Sequence, residues 1–381
     1  RVQALLEIAW PSGSVDRMKG ITSLDERRIQ LLILVLFLSF YTATFCLGGF
    51  DQGFYTIDGK VTYDQMRAIV GGDFSLLVSP TKHLGLSLVE LPFYLVGLAA
   101  GALFGTEFNP LAARLSNVFA SAALCWVVSR LARLYASQRG AAAITLLFGF
   151  GTTAWPQSKI DTADPLLALS VVASFWCLAE YSLTGGRKWF RWFLVAVAGA
   201  LVTKLVAHVF LSGWLLHLLF VKYRRHESWR SFSAKAACVV ALWVAALPLS
   251  LSVMWNSPAY ALDTWNFFEG IGQKVALRTV SPLDGLLPYC PLLLLAMLGW
   301  RRFRLTAPGD TAVIFILILP YLAPLVLGRH VVSIFDFGSR YDLIYQPLLL
   351  LGLIPFLAGL STASRGKQVA TFVVIVAAVY V

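Results

Sequence analysis

Charge is what this sequence has least of. Asp, Glu, Lys and Arg make up 13% of its 381 residues, about half the share of a soluble globular domain, and that excludes an ordinary water-facing surface. Cysteine is scarce too. The five thiols, Cys46, Cys125, Cys177, Cys238 and Cys290, are scattered, odd in number and mostly inside apolar runs, so they specify neither a disulfide framework nor a metal site. No Gly-rich phosphate loop is present, which argues against a soluble nucleotide-sugar as ligand. The lack of an Asn-x-Ser/Thr sequon is in keeping with a prokaryotic source. What is abundant is apolar: 58% of residues are hydrophobic and the mean hydropathy is +0.73. The chain reads as an all-α polytopic membrane protein.

The run Ile29 to Gly48 carries no charge, and about 20 such residues suffice for a helix to cross the hydrocarbon core. Asp25-Glu26-Arg27-Arg28 precedes it, so residues 1–29 are expected in the cytoplasm, with the run acting as an uncleaved anchor. Further apolar segments recur near 84–105, 110–134, 141–155, 165–183, 189–204, 206–222, 234–254, 286–300, 312–328, 341–361 and 369–381. Basic clusters stand at Arg130/Arg133/Arg139, Arg187/Lys188/Arg191, Lys222/Arg224/Arg225/Arg230, Arg301/Arg302/Arg304 and Arg365/Lys367. If 84–105 crosses, all of these clusters fall outside. If it lies along the outer interface, all fall inside, as the positive-inside rule favours. Glu90, Pro92 and the glycines of 84–105 suit an interfacial or re-entrant helix as well. The expectation is a bundle of about 11 transmembrane helices over 30–381, N-terminus in and C-terminus out. A first outer loop, 49–109, carries juxtamembrane helices. The aromatic and glycine-bearing outer loop 255–285 is a candidate lid, although its aromatics also suit an interfacial belt.

The first outer loop holds the polar stretch TIDGKVTYDQMRAIVGGDF, residues 56–74. With this topology Asp58, Asp73, Glu90, Asp161, Asp164 and Asp342 fall on the outer face. So do Lys60, Arg67, Lys82, Lys159, Lys204 and Arg340, which lie outside the cytoplasmic clusters. Isolated charges at a membrane boundary are costly unless paired or functional, so an outward-facing polar site is expected. Solvated loop residues are the plainer alternative for any one of them.

This stretch resembles the first outer loop of the GT-C superfamily of membrane glycosyltransferases, which use polyprenyl-phosphate-linked sugars. The pattern is most similar to the lipid A aminoarabinose transferases and protein O-mannosyltransferases: an acid (Asp58), Arg nine residues on (Arg67), then Gly72-Asp73, with Tyr63 near the family's Tyr. Gly59 departs from the pattern, since many members carry a second acid there. TKHLGLSLVELPFYLVG resembles the following basic-His segment through Lys82 and His83. GFGTTAWPQSKIDTADPLLAL resembles the second outer loop through Lys159 and Asp164-Pro165-Leu166. AGALVTKLVAHVF places Lys204 where a short helix ends. SPLDGLLPYCPLLLLAMLG and FDFGSRYDLIYQPLLLLG resemble two later motifs, the second through Arg340 and Tyr341.

The resemblance implies a GT-C fold and inverting transfer of a sugar from a polyprenyl-phosphate donor to a hydroxyl of a glycan, lipid or protein acceptor, at the outer face of a prokaryotic inner membrane. The chemistry needs a base and cations. Asp58 is the expected base, against the reading that it caps a helix beginning near Thr62; Asp51 is the competing acid. Lys82, Lys204 and Arg340 are expected to hold the donor phosphate, unless they snorkel to the interface. Asp164 is placed to orient a cation or the acceptor. No cofactor is required; a divalent metal, with His83 and His208 as weak candidates, stays open. A lipid-linked sugar flippase or transporter would instead show mid-membrane ionisable residues and an internal repeat, and neither is present. A nonenzymatic membrane scaffold gives no reason to collect acids and bases on one face.

Overall fold

A computed structural model describes residues 23–47, 57–75, 84–105, 109–256, 290–327, 340–361 and 364. Among them the regular structure is helical: α1 Ser23–Leu47, α2 Ile57–Val70, α3 Leu84–Phe104, α4 Asn109–Arg133, α5 Gln138–Gly151, α6 Asp164–Thr184, α7 Arg187–Thr203, α8 Leu211–Arg224, α9 Trp229–Asn256, α10 Leu292–Thr306, α11 Pro308–Leu327 and α12 Leu353–Ser361. Six described helical stretches are long and apolar enough to cross a bilayer. The expected crossing near 369–381 and the candidate lid 255–285 lie outside the described residues, apart from its first two positions at the end of α9.

Polar contacts show which helix ends lie together. At one end Arg130 of α4 bonds Glu26 of α1 at 2.6 Å and approaches Glu180 of α6 at 3.9 Å. The rings of Tyr135 and Phe303 meet there at 5.1 Å, and the clusters Arg130/Arg133, Arg187/Arg191, Arg224/Arg225 and Arg301/Arg302/Arg304 gather there through chain connectivity. At the opposite end Asn117 donates to the carbonyls of Ile160 and Thr162 at 2.6 and 2.8 Å, Thr153 donates to Gln346 at 2.9 Å, and His208 pairs with Ser250 at 2.8 Å. Successive long helices therefore run between a basic end and an end where buried acids collect.

Helix α3 is different. Its start packs on the end of α7, where a Cβ on Gly85 would lie 2.6 Å from Thr203 Cα. Phe93 meets Phe119 of α4 at 5.1 Å, and Phe104 is five residues from Asn109, a reach of at most about 18 Å. Since α4 is about 37 Å long, both ends of α3 stay in the half of the bundle that holds Asn117 and Thr203.

Three boundaries differ from expectation for physical reasons. Helix α2 starts at Ile57 rather than near Thr62, so Asp58 stands in its first turn and is not the cap of a later helix. Helix α10 runs on to Thr306, so Arg301, Arg302 and Arg304 form its last turns rather than a loop. Residues 341–361 are not one helix. They break into the 3-10 turn Arg340–Ile344, the turn Gln346–Leu349, a second 3-10 turn and α12. The indole of Trp300 donates to the Leu349 carbonyl at 2.9 Å, which satisfies a backbone group at the break, as an apolar environment requires.

One core interaction joins three helices. Tyr41 of α1, fully buried, donates to the Gly149 carbonyl of α5 at 2.8 Å and touches Cys125 of α4. At the same crossing a Cβ on Gly149 would sit 2.0 Å from the ring of Phe37, so only glycine admits that approach. Tyr41→Phe keeps the ring and removes the hydroxyl. Loss of about 1 kcal/mol of unfolding free energy is expected in detergent or bicelles; an unchanged transition would mean the bond is not made.

Candidate active site

The acid-rich end is built from four segments. Helix α2 closes with a Schellman turn: Asp73 N–H bonds the Ala68 carbonyl at 2.9 Å and Gly72 N–H that of Ile69 at 3.1 Å. Gly72 has φ +94°, a conformation glycine adopts without strain. Asp73 then accepts from the Ser75 N–H at 3.1 Å. The Gly-Asp of the sequence pattern is thus a helix stop, and Arg67, one turn before it, is exposed. Tyr63 is buried against Tyr94 of α3, ring to ring at 5.6 Å, with Met66 and Ala113 around it. That cluster docks α2 onto α3 and α4.

Asp161 occupies the space that Gly59 leaves. A Cβ at position 59 would lie 2.4 Å from Asp161 Oδ2, so the Asp161 carboxylate takes the room that a side chain at 59 would need. Asp161 is 1% exposed and Glu90 of α3 is 0% exposed, and their carboxyls face each other. The two carboxyls meet where α3 passes the loop that precedes α6. The Asn117 amide clamps the loop on either side of Asp161, which fixes the carboxylate in place.

Lys204 and Asp164 lie beside this pair. Lys204 breaks the path between α7 and the 3-10 turn Leu205–Phe210, with extended dihedrals of φ −157° and ψ 139°. Its ammonium bonds Asp164 Oδ1 at 2.6 Å, with the Asp164 side chain wholly buried and that of Lys204 19% exposed. Asp164 opens α6 ahead of Pro165, where a carboxylate also complements the helix dipole. Lys204, expected to meet a donor phosphate, therefore carries an acid partner already. Lys159 lies over the Trp155 ring at 4.7 Å, and burial pulls its ammonium below the ordinary lysine range.

The structure thus brings together Gly59, Glu90, Asp161, Asp164 and Lys204. The backbone of Asp58 adjoins Gly59, but the side chains of Asp58, Arg340 and Tyr341 lie outside the described residues, as do Asp51, Lys82 and His83. Arg340 opens a 3-10 turn packed on α6. In that turn Asp342 is buried and bonded to the Tyr345 hydroxyl, and Gln346 follows on Thr153. His208 is engaged by Ser250 and lies edge-on to Trp243 at 5.5 Å. Among the described residues no three His, Cys, Asp or Glu side chains are grouped to hold a metal ion.

Sequence reasoning assigned no role to Glu90 or Asp161. Their signals were present: Glu90 is the one charged residue in the 21-residue α3, and Asp161 stands three residues before Asp164 in the loop that leads into α6.

The helical bundle formed by the described residues has counterparts among solved structures. The chain superposes on ArnT from Cupriavidus metallidurans in its apo state with a TM-score of 0.59 at 19% identity, covering 90% of this chain and 63% of that one. For ArnT bound to undecaprenyl phosphate the TM-score is 0.58 at 18% identity, with the same coverage. At this identity the likeness is one of fold, and the chain spans about 63% of the ArnT length. No protein-family model and no curated protein matches the sequence.

The Gly59–Asp161 contact is testable. Gly59→Ala should lower stability by about 1–3 kcal/mol through overpacking. Adding Asp161→Ala should return part of that loss, giving a non-additive cycle in thermal unfolding. Strict additivity would mean that the two residues do not touch.

Proposed function

We propose that this chain is an inverting glycosyltransferase that moves a sugar from a polyprenyl-phosphate donor to an acceptor hydroxyl at the extracytoplasmic face of a prokaryotic inner membrane. The observation that supports it most is the convergence of Glu90, Asp161, Asp164 and Lys204, from three segments distant in sequence, at the end of the bundle where α2 brings the backbone of Asp58. The GT-C fold shared with a protein whose structure holds undecaprenyl phosphate makes such a lipid the natural donor carrier. The basic clusters at the opposite end accord with that end facing the cytoplasm.

In this reading Asp58 takes the acceptor proton as the hydroxyl attacks the anomeric carbon, and the lipid phosphate leaves on the far side. The Glu90–Asp161 pair borders the backbone that carries that base, through the contact of Asp161 with Gly59. Lys82, Lys204 and Arg340 carry the charge that grows on the departing phosphate. Lys204, held by Asp164, is pre-positioned for this, and shifting from carboxylate to phosphate keeps the ammonium paired. Arg67, His83, Lys159 and Tyr341 are assigned roles in contacting substrate. The transfer itself calls for no cofactor. A flippase would need its ionisable groups near the mid-membrane, whereas the polar contacts here concentrate at helix ends.

Transfer from a polyprenyl-phosphate sugar, followed in membranes with expression checked, tests the reading. Asp58→Asn should cut turnover by about 10²–10⁴-fold while donor binding holds, and Asp51→Asn should remain active. Loss of activity only in Asp51→Asn would move the base to that residue, and full activity of both would sink the mechanism. Lys204→Ala should weaken donor binding about tenfold or more; unchanged affinity would leave Lys204 as a structural partner of Asp164.

A further inference from the structure

The basic end holds a cavity of about 500 Å³ between the α6–α7 turn and the α8–α9 turn. Arg187, Arg191 and Lys235 line it, together with Ser228, Glu227 and Tyr181. Its walls are fixed from both turns. Arg225, following α8, donates to the carbonyls of Tyr181 and Ser182 at 3.4 and 3.3 Å and lies against Gly185, where a Cβ would be 2.0 Å from the guanidinium. The one acid, Glu227, is saturated by its neighbours. It accepts from Tyr181 at 2.6 Å and Ser231 at 3.3 Å, and it pairs with Lys235 and, at 3.7 Å, with Arg225. Burial alone would raise this carboxyl, but the Lys235 and Tyr181 bonds outweigh it and hold it below its ordinary range.

That leaves Arg187 and Arg191 without an ion-pair partner among the described residues. They are one turn apart on α7, where like charges repel, and they sit in the first turns of that helix, where its dipole disfavours cations. The arrangement is unfavourable by itself and becomes favourable once an anion sits between them. Exposed apolar side chains adjoin the cavity: Trp192 (60% exposed) and Val195 (57%) on α7, and Trp229 (59%) at the start of α9. Tryptophans so placed belong at a headgroup boundary.

The geometry points to a binding site for the phosphate headgroup of an anionic phospholipid, with Arg187 and Arg191 as its ligands and the acyl chains lying on the exposed Trp192 and Val195 surface. A free phosphate shares the first part of this chemistry but gains nothing from the apolar rim.

The full chain would be placed in nanodiscs containing phosphatidylglycerol in phosphatidylcholine, and lipid retention read by native mass spectrometry. The wild type should retain phosphatidylglycerol in preference to phosphatidylcholine. Arg187→Gln with Arg191→Gln should reduce that preference by about tenfold or more, through loss of two charge-assisted phosphate contacts. Arg301→Gln with Arg304→Gln, exposed at the same end, serves as the control for general attraction and should leave it intact. Because Arg187 and Arg191 are exposed, the variant should unfold in lipid-free detergent at the wild-type temperature or slightly above it. Equal losses in both pairs would overturn the proposal in favour of diffuse electrostatics. Displacement of the lipid by millimolar inorganic phosphate would overturn it in favour of a free-anion site.

Discussion

A chain with so little charge cannot scatter what it has, and the Lys204–Asp164 pair is the interaction on which the acid-rich end depends. It joins two irregular points of the backbone, the break after α7 and the first residue of α6. Each break frees polar groups that a membrane protein must satisfy internally. Removing one partner of such a buried pair typically costs about 3–5 kcal/mol, because the remaining charge is stranded. The pair is therefore weak as a source of net stability and strong as a device for register. It fixes where α6 begins, hence where the loop carrying Lys159 and Asp161 ends, and Asn117 fixes the same loop from the other side.

Position 59 shows how a buried carboxylate can be supplied by a segment distant in sequence. An acid next to Asp58 on α2 would be the local solution. Here the backbone at Gly59 is bare and the second loop fills the gap with Asp161. The substitution is not equivalent in chemistry. Asp161 faces Glu90, so its placement is tied to that of a residue on α3, and α3 is docked to α2 through Tyr63 and Tyr94. The geometry of the site is thereby coupled to the seating of a helix that stays in the acid-rich half of the bundle.

Much of this was legible in the sequence because membrane helices obey few rules. Length and apolarity located most of the long helices, six of which among the described residues can span a bilayer against the eleven crossings expected, and the one-sided distribution of Arg and Lys marked helix ends that lie together. Lys204 stood out because a lone lysine between two apolar runs needs a helix end to make sense. What was not legible depended on contacts between distant segments. No local signal shows that Asp161 fills the space at Gly59, or that Glu90 turns toward it. The break at Leu349 was hidden for the same reason, since it is made tolerable by the indole of Trp300, 49 residues away. The spacing of Asp58, Arg67 and Gly72-Asp73 mixed two causes that sequence does not separate: Gly72 is required by a left-handed turn, while Asp58 was singled out for its chemistry.

Helix α6 connects the two polar regions. Its 21 residues carry Asp164 at one end and Tyr181 at the other, a separation of about 25 Å, close to the thickness of a hydrocarbon core. A rigid helix of that length with a buried acid at its start and a wall of the basic cavity at its end cannot slide to suit one boundary without moving the other. Small residues at the crossings, such as Gly149 under Phe37 and Gly85 on Thr203, remove the slack that would absorb such a shift. The vertical position of the site in the membrane is thus set as much by what the arginines of the opposite end engage as by the acids of the site itself.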